Sequence, residues 1–182
     1  HQRCMVAEVM GRHVGWIALH AGMAAGAHAI LIPEVPMSMD EIVELVTKAH
    51  DRGRAPLVVV SEGFTLEGMD EAYSDKGLDA FNRPRLGGIG EVLAPEIERR
   101  TGIETRSTVL GHIQRGGSPS GFDRVLATRL GLHAADAIVD EAWGEMVAMR
   151  GTDILRVPFS EALVDLNTVP QYRYEEAAAL FG

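Results

Sequence analysis

The sequence predicts an α/β fold, a largely parallel sheet covered by helices on both faces. Short apolar runs alternate with helix-period segments at the spacing of βαβ units. The clearest of these runs, Pro56 to Ser61 (PLVVVS), is apolar and β-branched, as a strand covered on both faces should be. Size adds a bound: 182 residues suffice to bury a sizeable core, and 46% hydrophobic with 24% charged residues is ordinary globular composition. No internal repeat, low-complexity tract or linker interrupts the chain, so one α/β domain is expected over residues 1–182.

In order, Cys4 to Met10 reads as a buried strand and Gly15 to Ala27 as a close-packed helix of small residues. Ala29 to Ile32, ahead of Pro33, reads as a second strand. Ser38 and Glu41 have the spacing of a capping box and open a helix whose apolar side is Ile42, Val43, Leu45 and Val46. Gly53 ends it, and the Pro56–Ser61 strand follows. Gly63 to Pro84 is polar and weakly patterned, a long connection with at most one helical turn. Ile89 to Arg100 is a helix ended by Gly102, and Glu104 to Leu110 a strand. Gly111 to Gly121 reads as a glycine-rich loop. Phe122 to Glu141 reads as a long amphipathic helix with Val125, Leu126, Leu130, Ala134 and Ile138 on its buried side. Met146 to Met149 and Ile154 to Val157 are short strands, and Tyr172 to Phe181 is a terminal helix.

Charge and cysteine count exclude several functions. With 17 Lys+Arg against 26 Asp+Glu the net charge is −9, the wrong balance for a duplex nucleic-acid binder. A lone cysteine, Cys4, leaves no internal disulfide and no cysteine-cluster metal site, and a reducing cytoplasm is the expected compartment. The longest mostly apolar stretch, Val14 to Pro33, is broken by His20, His28 and glycines, so no membrane span is expected. The chain opens on His1 and is read as part of a longer one. Only Lys48 and Lys76 are lysines, and the remaining basic residues are arginines, whose planar fork suits phosphate.

Ligands of parallel sheets bind at the carboxyl ends of the strands. After the first strand come Met10, Gly11 and Arg12; after PLVVV come Ser61, Glu62 and Gly63; after the strand containing Arg106 come Gly111, His112, Ile113, Gln114 and Arg115. Arginines and a histidine suit a phosphate, and a carboxylate accepts hydrogen bonds from sugar hydroxyls. Arg3 and Arg106 lie near strand starts. The chemistry this favours is a phosphorylated polyol, although each residue alone has a plainer reading as a helix-start, loop or solvated side chain.

Other motifs carry less. Gly87, Gly88 and Gly90 fit a dinucleotide loop, but Leu93 stands where its third glycine belongs and no strand precedes it, so LGGIGEVL is a helix start. His13 and His20 are read as two turns apart on one helix without an HExxH pattern, and no metal ligands are expected. Ser118 and Ser120 lack the hydrolase elbow. Cys4 in an apolar strand is an inert core thiol.

Two runs identify a resemblance. VAEVMGRHVGW (Val6 to Trp16) and ETRSTVLGHIQRGGSPSGFDR (Glu104 to Arg124) resemble the C-terminal half of a bacterial-type 6-phosphofructokinase of an actinobacterial kind, and the likeness spans the whole chain. It implies the Rossmann-like sandwich that forms the sugar-phosphate-binding domain of the phosphofructokinase fold. It also implies a glycolytic transferase that moves a phosphoryl group to the 1-hydroxyl of fructose 6-phosphate. By match, Met10, Gly11 and Arg12 contact the sugar phosphate, with Arg12 also near the transferring group as the one catalytic residue on this chain. Glu62 matches the sugar-binding glutamate, and His112, Ile113, Gln114 and Arg115 match the segment binding the sugar and its 6-phosphate. Arg3 and Arg106 match arginines reaching a neighbouring subunit's site, which implies a homo-oligomer, usually a tetramer.

The donor loops, the magnesium aspartate and the catalytic aspartate of the family have no counterpart in these residues. Mg2+ is therefore expected with the donor, its ligands outside this chain, and these residues alone are expected to be inactive. ATP is the default donor and pyrophosphate the alternative. A non-catalytic sugar-phosphate-binding module is the alternative of another class. Regulated members carry an effector-site glutamate where this chain has His28, so regulation by ADP or phosphoenolpyruvate is not carried over. Arg52 and Arg54 nearby read equally well as helix-end residues.

Overall fold

The computed structural model describes residues 3–67 and 88–182. The chain forms two compact units, His1–Arg115 with Thr168–Gly182, and Gly116–Asn167, where the sequence reading expects one domain.

In the first unit β1 (Cys4–Val9), β2 (Ala29–Leu31), β3 (Leu57–Ser61) and β4 (Thr105–Val109) form a sheet in the order β2-β3-β1-β4. Every pairing is parallel. Its helices are α1 (Trp16–Ala25), α2 (Met39–Asp51), α3 (Ile89–Thr101) and, from the C-terminal segment, α6 (Gln171–Ala178). One face packs Val6, Val58 and Val60 against Ile42 and Val46 of α2 and Leu93 and Ile97 of α3. The other packs Val9, Ile30 and Val59 against Ala18 and Leu19 of α1 and Tyr174 and Ala177 of α6. Burial of each such aliphatic side chain contributes about 1.5–3 kcal/mol, which is why the uninterrupted VVV run settles in the middle of the sheet.

Local signals explain the helix ends. The Ser38 hydroxyl accepts the Glu41 N–H at 3.3 Å, and the Glu41 carboxylate accepts the Ser38 N–H at 2.7 Å, the capping box the sequence spells. Gly26 and Gly102 close α1 and α3 in the left-handed region at φ 66° and 71°. Most of the long connection after Gly63 lies outside the described residues. Its opening residues Phe64 and Leu66 are buried core.

The second unit holds α4 (Gly121–Val139), β5 (Glu145–Arg150), β6 (Asp153–Pro158) and the short α5 (Phe159–Ala162). β5 and β6 pair with each other as an antiparallel hairpin. Two expectations are corrected here. Gly111–Arg115 is a 3-10 helix, so only the second half of the expected loop is irregular. The expected buried side of α4 is not buried: Val125 is 61% and Ile138 63% exposed, while Leu126, Leu130 and Ala134 are half-buried. Within its unit α4 packs chiefly on β5 and β6, and a two-stranded hairpin is too small to cover a helix of this length. Apolar side chains also stand on the other sides of α4, Phe122, Leu132 and Val139 among them, so no single stripe marks one side of this helix for burial.

Candidate functional site

Strand order places the site. β1 lies between β3 and β4, with Val9 beside Ser61 and Glu8 beside Val109. After β1 the chain enters α1, which packs on one face; after β3 the next described helix is α3, which packs on the other. Connections that leave adjacent parallel strands toward opposite faces open a crevice at their carboxyl ends. Met10, Gly11 and Arg12 line it from β1, and Glu62 from β3.

Hydrogen bonds join these loops. The Gly11 N–H donates to Glu62 Oε1 at 3.3 Å, and the Glu62 N–H donates to the Val9 carbonyl at 2.9 Å. The Met10 N–H donates to Gln114 Oε1 at 3.3 Å, while Gln114 Nε2 donates to the Gly111 carbonyl at 2.9 Å. Gln114 therefore belongs to the site through the backbone of Met10. The Leu110 N–H donates to the Glu8 carbonyl at 3.0 Å and sets the 3-10 helix against β1. His112, Ile113 and Arg115 are exposed on that helix, Ile113 to 81%, and Arg12 is half-buried. One carboxylate, two arginines and a histidine thus share one end of the sheet. Guanidinium and imidazole N–H groups are donors of the kind a phosphate accepts from, and a carboxylate is an acceptor of the kind a hydroxyl donates to.

Arg3 and Arg106 lie at the other end. Arg3 Nε donates to Glu104 Oε2 at 2.6 Å, and Arg106 donates to Glu104 Oε1 at 3.2 and 2.9 Å. The hydrogen bond from Arg3, joined by those from Arg106, holds the exposed Glu104 carboxyl below its ordinary value. β1 separates these arginines from Met10 by roughly 20 Å, at about 3.3 Å per residue, so the fold does not bring them into the Gly11 crevice of the same chain.

Residues 1–138 match the phosphofructokinase family profile. The chain belongs to the phosphofructokinase family. It is 56% identical over its whole length to a pyrophosphate–fructose 6-phosphate 1-phosphotransferase of Amycolatopsis methanolica, covering 53% of that protein. It is 50% identical to an ATP-dependent 6-phosphofructokinase of Mycobacterium tuberculosis, again covering 53%. The chain spans about half the length of the curated relatives it matches. Among solved structures, the phosphofructokinase of Saccharomyces cerevisiae superimposes with a TM-score of 0.72 at 33% identity, over 99% of this chain and 22% of that one. The fold is therefore the phosphofructokinase fold, as the two runs implied.

Against the family pattern, the His28 region has its own structure. His28 Nδ1 accepts the Leu57 N–H at 3.1 Å, so the ring is tied to β3. Burial, then the Arg54 charge, pushes its pKa below the ordinary value. Arg52 is the C-cap residue of α2, as the plainer reading has it, and its guanidinium donates to the Gly182 carbonyl. The glycine-rich start of α3 is a helix start, and its anion site is filled from within. The Glu8 carboxylate, 2% exposed, accepts the N–H groups of Gly88 at 2.9 and 3.1 Å and of Gly90 at 2.8 Å. His13 precedes α1 and does not share its helix with His20, which corrects that expectation. Burial pushes the Cys4 thiol up to about 12, the behaviour of an inert core thiol.

The sequence places Ser61 and Gly63 beside Glu62 at the strand end but gives them no role, and the structure supplies one. Ser61 Oγ and the Gly63 N–H both donate to the Gly11 carbonyl at 3.0 Å. The available signal was the run of small residues on either side of Glu62, directly after a strand.

Proposed function

We propose that this chain is the sugar-phosphate-binding half of a 6-phosphofructokinase, which transfers a phosphoryl group to the 1-hydroxyl of fructose 6-phosphate. The observation that carries the reading is the Gly11–Glu62–Gln114 cluster. It gathers the matched sugar and phosphate residues at the crevice between β1 and β3. Arg12, His112 and Arg115 hold the 6-phosphate, and the Glu62 carboxylate accepts a hydrogen bond from a sugar hydroxyl. Met10 and Ile113 shape the pocket around them. Arg12 also offsets the negative charge that spreads over the transferring phosphoryl group. Arg3 and Arg106 serve the site of a neighbouring subunit in a homo-oligomer, a tetramer by the family pattern.

ATP is the default donor. The 56% identity to a pyrophosphate-dependent relative favours pyrophosphate as the second reading. Mg2+ would arrive with the donor and neutralise its charge. Among the described residues no group of three or more His, Cys, Asp or Glu side chains is placed to hold a metal ion, and its ligands are proposed to lie outside this chain. No helix among the described residues is long and apolar enough to cross a membrane, and cytoplasmic residence is part of the proposal.

The test is turnover by the full-length protein with fructose 6-phosphate, Mg2+ and either donor. Production of fructose 1,6-bisphosphate with one donor is the expected result and names the subclass. Sugar-phosphate binding without turnover by either donor would favour the non-catalytic module.

A further inference from the structure

We infer that Ser61, Gly63 and Glu34 are positioning residues that hold the Met10–Gly15 loop, and Arg12 within it, ready for the sugar phosphate. The inference rests on the reading of Met10–Arg12 as the phosphate-contacting run.

The upstream end of the loop is held by three consecutive residues. The Gly11 carbonyl accepts from both Ser61 Oγ and the Gly63 N–H, and its N–H donates to Glu62. Ser61 is fully buried, so its hydroxyl is committed to this contact. Gly11 has φ +142°, and a Cβ there would lie 2.3 Å from Ser61 Oγ and 2.7 Å from the Val14 carbonyl. At Gly63 the approach is tighter still: a Cβ would lie 1.8 Å from the Arg12 carbonyl oxygen and 2.6 Å from its carbon. Those atoms are backbone, so any side chain at position 63 displaces the peptide that carries Arg12.

The downstream end is held from another strand. α1 has no side-chain cap of its own and no acidic residue in its first turn. Glu34, three residues beyond β2, brings a carboxylate to this helix start instead. Its two carboxylate oxygens each accept the Gly15 N–H at 3.0 Å, and Oε1 also accepts the Val169 N–H at 3.0 Å. One carboxylate thus takes the N–H of Gly15, the residue that opens α1, and ties it to the segment leading into α6. A loop fixed at both ends has little conformational freedom left to lose when ligand binds. Placing a guanidinium to within a fraction of an ångström requires that kind of support.

The experiment is steady-state kinetics of the full-length protein and its Ser61→Ala, Gly63→Ala and Glu34→Ala variants, with thermal melting of each. Gly63→Ala is expected to raise the KM for fructose 6-phosphate at least about tenfold, and the other two by several-fold, with the donor KM within about twofold of wild type. Ser61→Ala changes little volume and Glu34→Ala removes a side chain outside the buried core, so they decide the matter if Gly63→Ala does not fold. Lowered melting temperatures with an unchanged KM for fructose 6-phosphate would mean that the three residues are structural only and would overturn the inference. No turnover of fructose 6-phosphate by the wild-type protein would overturn the underlying reading instead, and this inference with it.

Discussion

The two ends of the four-stranded sheet present arginines in opposite settings. At the carboxyl end, Arg12 sits in a loop whose neighbouring peptides are hydrogen-bonded to β3 and to the 3-10 helix. At the amino end, Arg3 and Arg106 are anchored by one exposed carboxylate, Glu104, through side chains alone. Backbone anchoring fixes a charge in place, whereas an exposed side-chain pair leaves it able to extend toward something else. The first setting suits a residue that serves its own chain's crevice, and the second suits a residue that reaches away from the chain.

Both ends rest on one core, and the largest expected effect separates that core from either site. Leu93→Ala removes a fully buried side chain packed beneath β1 and should cost about 2–5 kcal/mol of stability. Denaturant unfolding of the full-length protein measures this. Well below the melting temperature, the KM for fructose 6-phosphate should stay unchanged. A parallel rise in KM would mean that the carboxyl-end loops are set by the core as a whole and not by their local hydrogen bonds.

The next effect distinguishes the two sets of arginines. Arg12→Ala and Arg106→Ala should each lose charge-assisted contacts to phosphate, raising the KM for fructose 6-phosphate by about 10–100-fold. Mixed oligomers of the two variants should recover part of the lost activity. In them an intact Arg12 on one subunit meets an intact Arg106 on its neighbour. No recovery on mixing would place both residues in one chain's own site and erase the contrast between the ends.

The smallest effect concerns Glu104. Its carboxyl is held below the ordinary 4.5, so its pairing with Arg3 and Arg106 is fully present above that pH and is lost as pH falls through the lowered value. Glu104→Gln removes the anchor at neutral pH. The KM for fructose 6-phosphate should change at most about fivefold, the scale of an exposed ion pair. Wild type below pH 4.5 should move toward the variant, as pH-dependent kinetics would show.

The same contrast explains what the sequence made legible. The strands were readable because Leu57–Ser61 and Cys4–Val9 must be apolar on both faces, and the α2 start because Ser38 and Glu41 spell their own hydrogen bonds. Motif order placed Met10, Gly11, Glu62 and Gln114 at strand ends, and the structure joins them. The Gly11–Ser61 and Met10–Gln114 contacts join residues 50 and 104 positions apart, and only the parallel register of β1 between β3 and β4 makes them neighbours. Glu8 was passed over because a single acid in an apolar strand gives no hint that a helix start will cover it. The face of α4 failed for the converse reason. Val125, Leu126, Leu130, Ala134 and Ile138 recur at helical spacing, but apolar residues fill the other sides of α4 as well, so the pattern singles out no face.

Calorimetric titration of fructose 6-phosphate into the full-length protein and its Arg115→Ala and Glu62→Gln variants tests most directly whether the sugar phosphate sits at the carboxyl end of β1 and β3. Both variants should bind at least about tenfold more weakly than wild type, the loss of a hydrogen bond to a charged group, with melting temperatures unchanged. Wild-type affinity in both variants would place the sugar phosphate elsewhere and contradict the assignment of the site to this crevice.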